Sequence, residues 1–188
     1  MKLELRGLYA ITSQAICDSP ARLEAGVAAA IAGGARLIQY RDKRSDAATR
    51  IANARQLRQR CRDAGVVFIV NDDMQLAAEV EADGVHLGKS DGSIAAARAL
   101  LGDGVLIGVS CSGDLARALT AQQQGADYVA FGRFYDSNTK PDAPLAALMK
   151  RGVPPTERNA RTGELTPPGM RAWARWNSSS DRLMDLTA

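Results

Sequence analysis

The chain has 188 residues, a length that suits one domain of about 100–200 residues and leaves little room for a second. Its composition, 46% hydrophobic and 24% charged, excludes a disordered or collagen-like chain. The net charge of +3 comes with no run of basic residues, so nucleic acid is not an expected partner. The sequence has no secretory signal and no apolar window long enough to cross a membrane, so we expect no membrane partner.

Three cysteines, Cys17, Cys61 and Cys111, lie far apart and form no CxxC motif. An odd number cannot all pair within one chain. This usage is typical of a reducing compartment, so we expect a cytoplasmic protein with Cys61 and Cys111 as small buried residues.

Up to residue 131 the chain alternates between short apolar runs and helix-forming segments. The predicted strands are residues 8–12, 37–40, 66–70, 84–87, 105–109 and 128–131. The predicted helices are residues 23–35, 47–64, 74–81, 94–101 and 114–124. The motif A-D-x-V-x-x-G occurs at residues 82–88 and again at 126–132, each time before a strand. Strict alternation predicts a parallel α/β sheet, either open and doubly wound or closed into a barrel.

Polar side chains gather where the predicted strands end, which is where parallel α/β folds place their sites. Gln39, Arg41 and Lys43 alternate at a spacing of two, so they share one face of an extended segment. Two cations and an amide suit a diphosphate. A solvated charge cluster at the strand end is the equally weighted alternative.

Two aspartates, Asp72 and Asp91, follow neighbouring predicted strands. Without histidine or thiolate support, such carboxylates favour Mg²⁺ held together with phosphate and water. As alternatives, Asp72 caps the next helix, unless Asp73 does so, and Asp91 is a turn residue before Gly92.

The sequence gives little support to nucleophilic catalysis. The single histidine, His86, lies within a predicted strand and is as readily a packed core residue as a site residue. Ser110 lies in no GxSxG motif, so we expect it only to accept or donate a hydrogen bond.

Taken in order, the motifs LYAIT, QYRDK, VNDD, GVHLG with a following Asp, GVSCS and ADYVAFGRFYDSNTK resemble the thiamine phosphate synthase family over about residues 7–140. The resemblance implies a (β/α)8 TIM-barrel fold. It also implies a transferase of thiamine biosynthesis that joins hydroxymethylpyrimidine diphosphate to thiazole phosphate, forming thiamine phosphate and releasing diphosphate. A homo-oligomer is compatible with it.

The resemblance also assigns residues to roles. The pyrimidine diphosphate would be held by Gln39, Arg41, Lys43, Asn71, Ser110 and Lys140. Of these, the residues expected to stabilise the leaving diphosphate are Arg41, Lys43 and Lys140. The thiazole phosphate would be met by Ser137, Asn138 and Thr139. Mg²⁺ would be bound by Asp72 and Asp91.

The chain changes character after Lys140, where six of the seven prolines and both tryptophans fall. The seventh and eighth strands of the family are not recognisable, so we expect a barrel domain, residues 1–150, truncated after the sixth strand, and an irregular tail, residues 151–188, that does not match the family. An altered reading frame, a divergent partner-binding tail anchored by Trp173 and Trp176, and a fused end all remain open. We expect this chain to be unstable or poorly active.

Two other functions remain as alternatives. One is a thiazole tautomerase relative, which shares the barrel but needs no diphosphate or metal site. The presence of the residues expected at those sites argues against it, namely Gln39, Arg41, Lys43, Asp72 and Asp91. The other is a non-catalytic barrel remnant that binds a phosphorylated ligand. Binding without turnover would favour the remnant.

Overall fold

The structure is a computed structural model that describes residue 5, residues 7–132 and the backbone of residues 173–175. The chain forms two compact units, Met1–Ile107 and Gly108–Ala188. The elements of the first unit are β1 (Leu8–Ile11), α1 (Gln14–Cys17), α2 (Pro20–Ala32), β2 (Ala35–Tyr40), α3 (Ala47–Asp63), β3 (Val67–Asn71), α4 (Met74–Glu79), β4 (Gly84–Leu87) and α5 (Ile94–Leu101). Strand β5 (Leu106–Ser112) begins there and continues into the second unit, which also contains α6 (Leu115–Gln123), β6 (Tyr128–Phe131) and β7 (Trp173–Arg175).

Strands β1 to β4 form a parallel arrangement in which each strand pairs with the next one along the chain. Ile38 pairs with Ala10 on one side and with Phe68 on the other, and Val70 pairs with Val85. Because all four strands run in the same direction, their carboxyl ends meet at one edge. The α/β class predicted from the alternation is confirmed, whereas the barrel type of fold, truncated after the sixth strand, remains a prediction.

One face of this arrangement carries a small apolar cluster. Leu37, Val67, Ile69 and Leu106 are buried together. Gly84 faces the same cluster, since a Cβ there would come within 2.5 Å of Cδ1 of Ile69. Only glycine fits at this position, which explains why the first copy of the repeated motif reads A-D-G-V.

The opposite face is covered by helices. Helix α3 packs on β2 and β3, α2 packs on β2, and α4 packs on β3 and β4. The strand side chains that alternate with the cluster are at most 2% exposed, namely Ile38, Tyr40, Phe68, Val70, Val85 and Leu87. Burial of each aliphatic or phenylalanine side chain contributes about 1.5–3 kcal/mol, so this layer supplies much of the stability of the first unit.

Five helices begin at a serine or aspartate whose side chain accepts a hydrogen bond from a backbone N–H of the first turn. The capping residues of α2 to α6 are Ser19, Asp46, Asp73, Ser93 and Asp114. Each cap satisfies one of the N–H groups that a helix start leaves unpaired. Helix α2 therefore starts at Pro20, earlier than the predicted residue 23, because Ser19 and Pro20 form a strong start signal.

Asp83, from the first copy of the repeated motif, links the amino ends of β3 and β4. Its carboxylate accepts a hydrogen bond from the N–H of Phe68 at 2.8 Å and pairs with Arg58 at 2.9 Å. Arg58 also donates from Nε to the carbonyl of Glu81 at 2.8 Å. The aspartate of the motif thus joins a helix to two strand starts.

In the second unit, β5 and β6 pair in parallel, with Gly108 opposite Tyr128, and α6 packs on β6. Strand β7 pairs with β6 in the antiparallel sense, with Trp173 opposite Ala130. This short strand departs from the prediction of an irregular tail. The remaining tail residues, and the predicted boundary near residue 150, lie outside the described residues.

Cys61 and Cys111 are buried with free thiols, as predicted, and so is Cys17. Among the described residues, no helix has the length and apolar character needed to cross a membrane.

Candidate active site

Two members of the predicted diphosphate set, Gln39 and Arg41, carry buried polar atoms at the end of β2. Gln39 is 1% exposed and donates from Nε2 to the hydroxyl of Tyr9 at 2.6 Å. Within the described part of the chain, neither Oε1 of Gln39 nor Nε of Arg41 has a hydrogen-bond partner. Leaving a buried polar atom unpaired costs about 1–3 kcal/mol, so both atoms favour a polar ligand.

The backbone around these two residues is held by Thr12, a residue that was not among the predicted site residues. Thr12 donates from its N–H to the carbonyl of Gln39 at 2.9 Å. Its hydroxyl accepts from the N–H of Arg41 at 2.8 Å and donates to the carbonyl of Arg41 at 3.2 Å. The sequence feature that could have identified Thr12 is its position, a hydroxyl residue directly after the first apolar strand.

The adjacent aspartates after β3 have different tasks. Asp73 is the cap of α4, because its carboxylate accepts from the N–H of Leu76 at 2.9 Å. The same carboxylate pairs with Arg50 at 2.8 Å. The alternative that Asp72 caps this helix is therefore wrong, and Asp72 is available to the site.

Asp72 adopts a left-handed backbone conformation, with φ at 65°. Its N–H donates to the carbonyl of His86 at 2.8 Å, which fixes the turn against β4. Aspartate and asparagine tolerate this conformation better than most residues, and such strained positions concentrate at functional sites.

The two predicted metal ligands, Asp72 and Asp91, lie together. Burial raises the pKa of Asp91 above its ordinary value, and a hydrogen bond with the Asp72 side chain raises it further. The N–H of Gly88 donates to Asp91 at 2.7 Å and acts in the opposite direction. The ammonium group of Lys43 pairs directly with Asp72. Two crowded carboxylates beside one cation form a site that a divalent cation would stabilise.

Lys43 and Asp72 both line a cavity of about 450 Å³. Its other lining residues are Asp42, Ser45, Arg50, Asn71, Asp73, Met74 and Gln75. The side chain of Lys43 is 50% exposed, so solvent reaches the cation. The cavity therefore joins the carboxyl ends of β2 and β3, where the sequence predicted the site.

Asn71 and His86 are paired in register on neighbouring strands. Alternation places both on the face that carries Ile69 and Gly84, and Gln39 lies on this face too. His86 is 5% exposed. It is thus a buried strand residue, whose carbonyl positions Asp72.

Ser110 belongs to the second unit, where its carbonyl accepts from Nε of Arg117 at 2.9 Å. The remaining predicted site residues, Ser137, Asn138, Thr139 and Lys140, lie outside the described residues. Their roles stay predictions. Across the described part of the chain, no group of three or more histidine, cysteine, aspartate or glutamate residues could hold a metal ion, so the acidic site consists of the Asp72 and Asp91 pair.

Residues 8–151 match the family model described as thiamine monophosphate synthase. The chain belongs to the thiamine monophosphate synthase family. The matched range agrees with the resemblance predicted from motifs over about residues 7–140.

Curated relatives in this family are close in sequence. A thiamine-phosphate synthase of Alcanivorax borkumensis is 54% identical over 144 residues, covering 77% of this chain and 66% of the relative. One of Marinobacter nauticus is 48% identical, covering 89% of this chain and 78% of the relative. Because residues 1–151 make up about 80% of the 188, the second match reaches past residue 151, into the segment where the sequence predicts no resemblance.

Among solved structures, the thiamine phosphate pyrophosphorylase of Pyrococcus furiosus is similar, with a TM-score of 0.62 and 32% identity. The match covers 70% of this chain and 62% of that one. The family assignment and the α/β fold therefore rest on both sequence and structure. The chain spans about two thirds of the length of several family members that it matches.

Proposed function

We propose that this chain is a thiamine phosphate synthase, which transfers the hydroxymethylpyrimidine group from its diphosphate to thiazole phosphate. Family membership supports the reaction. The observation that carries the proposal is the convergence of Lys43, Asp72 and Asp91 at the edge where β2, which contains Gln39 and is followed by Arg41, also ends. A tautomerase acting on thiazole phosphate alone would not need this diphosphate and metal site.

The acidic pair fits Mg²⁺, since this ion is usually bound by one or two carboxylates together with phosphate and water. Asp72 and Asp91 would hold it. The raised pKa of Asp91 reflects its burial and the neighbouring carboxyl group of Asp72. A divalent cation would offset the repulsion between these two carboxylates. When bound, Mg²⁺ supplies positive charge that stabilises the departing diphosphate.

The reaction requires charge stabilisation and positioning more than proton transfer. The bond between the pyrimidinylmethyl carbon and the diphosphate oxygen breaks, and its electron pair leaves with the diphosphate. Arg41 and Lys43 would bind those oxygens and stabilise the developing negative charge. The thiazole nitrogen then donates its lone pair to the electron-poor carbon, and the new carbon–nitrogen bond forms between two positioned substrates.

The remaining contacts in the proposal follow the family resemblance. Lys140 would join Arg41 and Lys43 at the diphosphate, and Asn71 and Ser110 would contact the same substrate. The thiazole phosphate would be met by Ser137, Asn138 and Thr139.

The proposal extends to the fold and to the setting of the enzyme. The proposed fold is of the (β/α)8-barrel type, truncated after the sixth strand, and the likeness to the Pyrococcus furiosus structure supports its α/β class. A cytoplasmic location is supported by the three free cysteines. We also propose that the enzyme assembles into a homo-oligomer and has neither nucleic acid nor a membrane as a partner.

The direct test mixes the purified chain with hydroxymethylpyrimidine diphosphate, thiazole phosphate and Mg²⁺, and measures thiamine phosphate and diphosphate by chromatography. Both products should form in equal amounts, and EDTA should stop their formation. Calorimetry with the pyrimidine diphosphate, with and without Mg²⁺, gives binding separately. The rate relative to that of another enzyme of the family also tests the expectation of weak activity.

Lys43→Ala is the test variant. Arg55→Ala is its matched control, because it also removes a cation, in this case an exposed one on α3 that pairs with Glu79 on α4. Only Lys43→Ala should weaken diphosphate binding. Substrate binding without any product would support the barrel remnant instead. Conversion of thiazole phosphate alone would support the tautomerase.

A further inference from the structure

The acidic residue between the two predicted diphosphate cations, Asp42, is 7% exposed and has four hydrogen-bond donors. Its Oδ1 accepts from Nε2 of Gln14 at 2.8 Å and from the N–H groups of Arg44 and Ser45, each at 3.1 Å. Its Oδ2 accepts from the hydroxyl of Tyr40 at 3.1 Å. Asp42 lines the cavity, yet its carboxylate oxygens are engaged by the protein itself.

Gln14 connects this carboxylate to the neighbouring cation. While its Nε2 donates to Asp42, its Oε1 accepts from the N–H of Lys43 at 2.8 Å. One amide group thus holds the backbone of Lys43 and the side chain of Asp42 at once. Together with the contacts of Thr12 to Arg41, the residues after β1 fix the segment on both sides of Asp42.

Asp42 carries a negative charge in this network. Burial would raise its pKa, but hydrogen bonds from Gln14, from Ser45 and from the N–H of Arg44 outweigh that effect and hold the pKa well below its ordinary value. Hydrogen bonds to an ionised acceptor are about twice as strong as neutral ones. These hydrogen bonds connect the loop that follows β2 to helix α1 and to Tyr40.

We propose that Asp42 and Gln14 form a positioning pair that sets the backbone from Arg41 to Lys43, so that both cations reach the diphosphate end of the substrate. This inference rests on the proposed function. Neither residue needs to touch the substrate, because each acts through the chain segment that it holds. The role is comparable to that of outer-layer hydrogen bonds that orient the ligands of a metal.

Four variants test the pair. Asp42→Ala removes the acceptor, and Gln14→Ala removes the bridge to Lys43. Asp42→Asn keeps the Oδ1 atom, which accepts three of the four hydrogen bonds. Its new amide group can donate to the Tyr40 hydroxyl, which donates to Oδ2 of the aspartate. Gln59→Ala is the matched control, because Gln59 donates to Asp63 at 2.7 Å on the surface of α3.

The readouts are calorimetric affinity for inorganic diphosphate with Mg²⁺, the KM for each substrate, and the melting temperature. Asp42→Ala and Gln14→Ala should weaken diphosphate affinity by about 10–100-fold. They should raise the KM for the pyrimidine diphosphate and leave the KM for thiazole phosphate unchanged. Asp42→Asn should restore affinity to within about threefold of the unsubstituted chain, and Gln59→Ala should match it.

Different results would overturn different claims. Unchanged diphosphate affinity in Gln14→Ala, or equal losses for both substrates, would overturn the positioning role and leave the proposed function standing. If Asp42→Ala fails to fold, Gln14→Ala and Asp42→Asn decide the question. No binding of diphosphate or substrate by the unsubstituted chain would overturn the proposed function, and the positioning role with it.

Discussion

The carboxylate of Asp73 accepts a hydrogen bond from the N–H of Leu76 at 2.9 Å, and this contact caps helix α4. It leaves the preceding residue, Asp72, in a left-handed conformation with its carboxyl group beside that of Asp91. Two adjacent aspartates thus have different partners: Asp73 caps the helix, and Asp72 lies beside a second carboxyl group.

The first prediction concerns Asp72→Asn. Asparagine tolerates a positive φ, so the fold should persist, but the acidic pair loses one charge. Magnesium-dependent diphosphate release should fall by about 100-fold or more, with the melting temperature nearly unchanged. Asp63→Asn, an exposed aspartate on α3, is the control. Unchanged turnover in Asp72→Asn would remove this residue from the site.

The second prediction concerns Asp83, which links the amino ends of β3 and β4. Asp83→Ala removes the acceptor for the N–H of Phe68 and leaves Arg58 without its partly buried partner. The free energy of unfolding should decrease by about 2–3 kcal/mol, measured by urea titration with circular dichroism. Glu79→Ala, which removes an exposed ion pair with Arg55, should change it by less than about 0.5 kcal/mol. Equal effects would show that Asp83 has no special role.

The third prediction uses two glycines close together in the sequence. A Cβ at Gly108 would overlap the ring of Tyr128, which is 2% exposed and has little room to move. Gly108→Ala should therefore destabilise the protein by about 1–3 kcal/mol. A Cβ at Gly104 meets nothing within 4 Å, so Gly104→Ala should be neutral or stabilising by up to about 1 kcal/mol. Melting temperatures of the two variants give the comparison, and a tolerated alanine at Gly108 would contradict the packing described.

The fourth prediction is a pH dependence of stability. The pKa of Asp42 is lowered in the folded protein, so the unfolded chain takes up a proton first as the pH falls. The stability from this group is present above the ordinary aspartate pKa of about 3.9 and is lost as the pH falls toward the folded pKa. Asp42→Asn, which cannot titrate, should show a smaller loss of unfolding free energy between pH 6 and pH 3, taken from urea titrations at each pH. Identical slopes would contradict the assignment of this pH dependence to Asp42.

Much of the fold follows from local sequence. The run of residues 66–70 is apolar and largely β-branched, and the structure places a strand at Val67–Asn71. The short helix at Gln14–Cys17 was not predicted, because four residues are too few to show a helical period. The position of this helix matters, because it places Gln14 within hydrogen-bond distance of Asp42.

The site was predictable in part. The rule that parallel strands end at one edge brought Asp72 and Asp91 together correctly. It could not decide between Asp72 and Asp73 as the helix cap, because either spacing fits the start of α4. The contacts of Thr12 and Gln14 with the segment after β2 also escaped prediction, since they depend on how two strands pair across a long sequence separation.

The order of the strands in the first unit has a consequence for folding. Ala10 pairs with Ile38, Ile38 with Phe68 and Val70 with Val85, so each strand finds its partner in the next strand to be synthesised. Loop closure between such neighbours costs little entropy compared with pairing of distant segments. The first unit can therefore assemble progressively as the chain leaves the ribosome, and the pair of Lys43 with Asp72 would form once β3 docks onto β2.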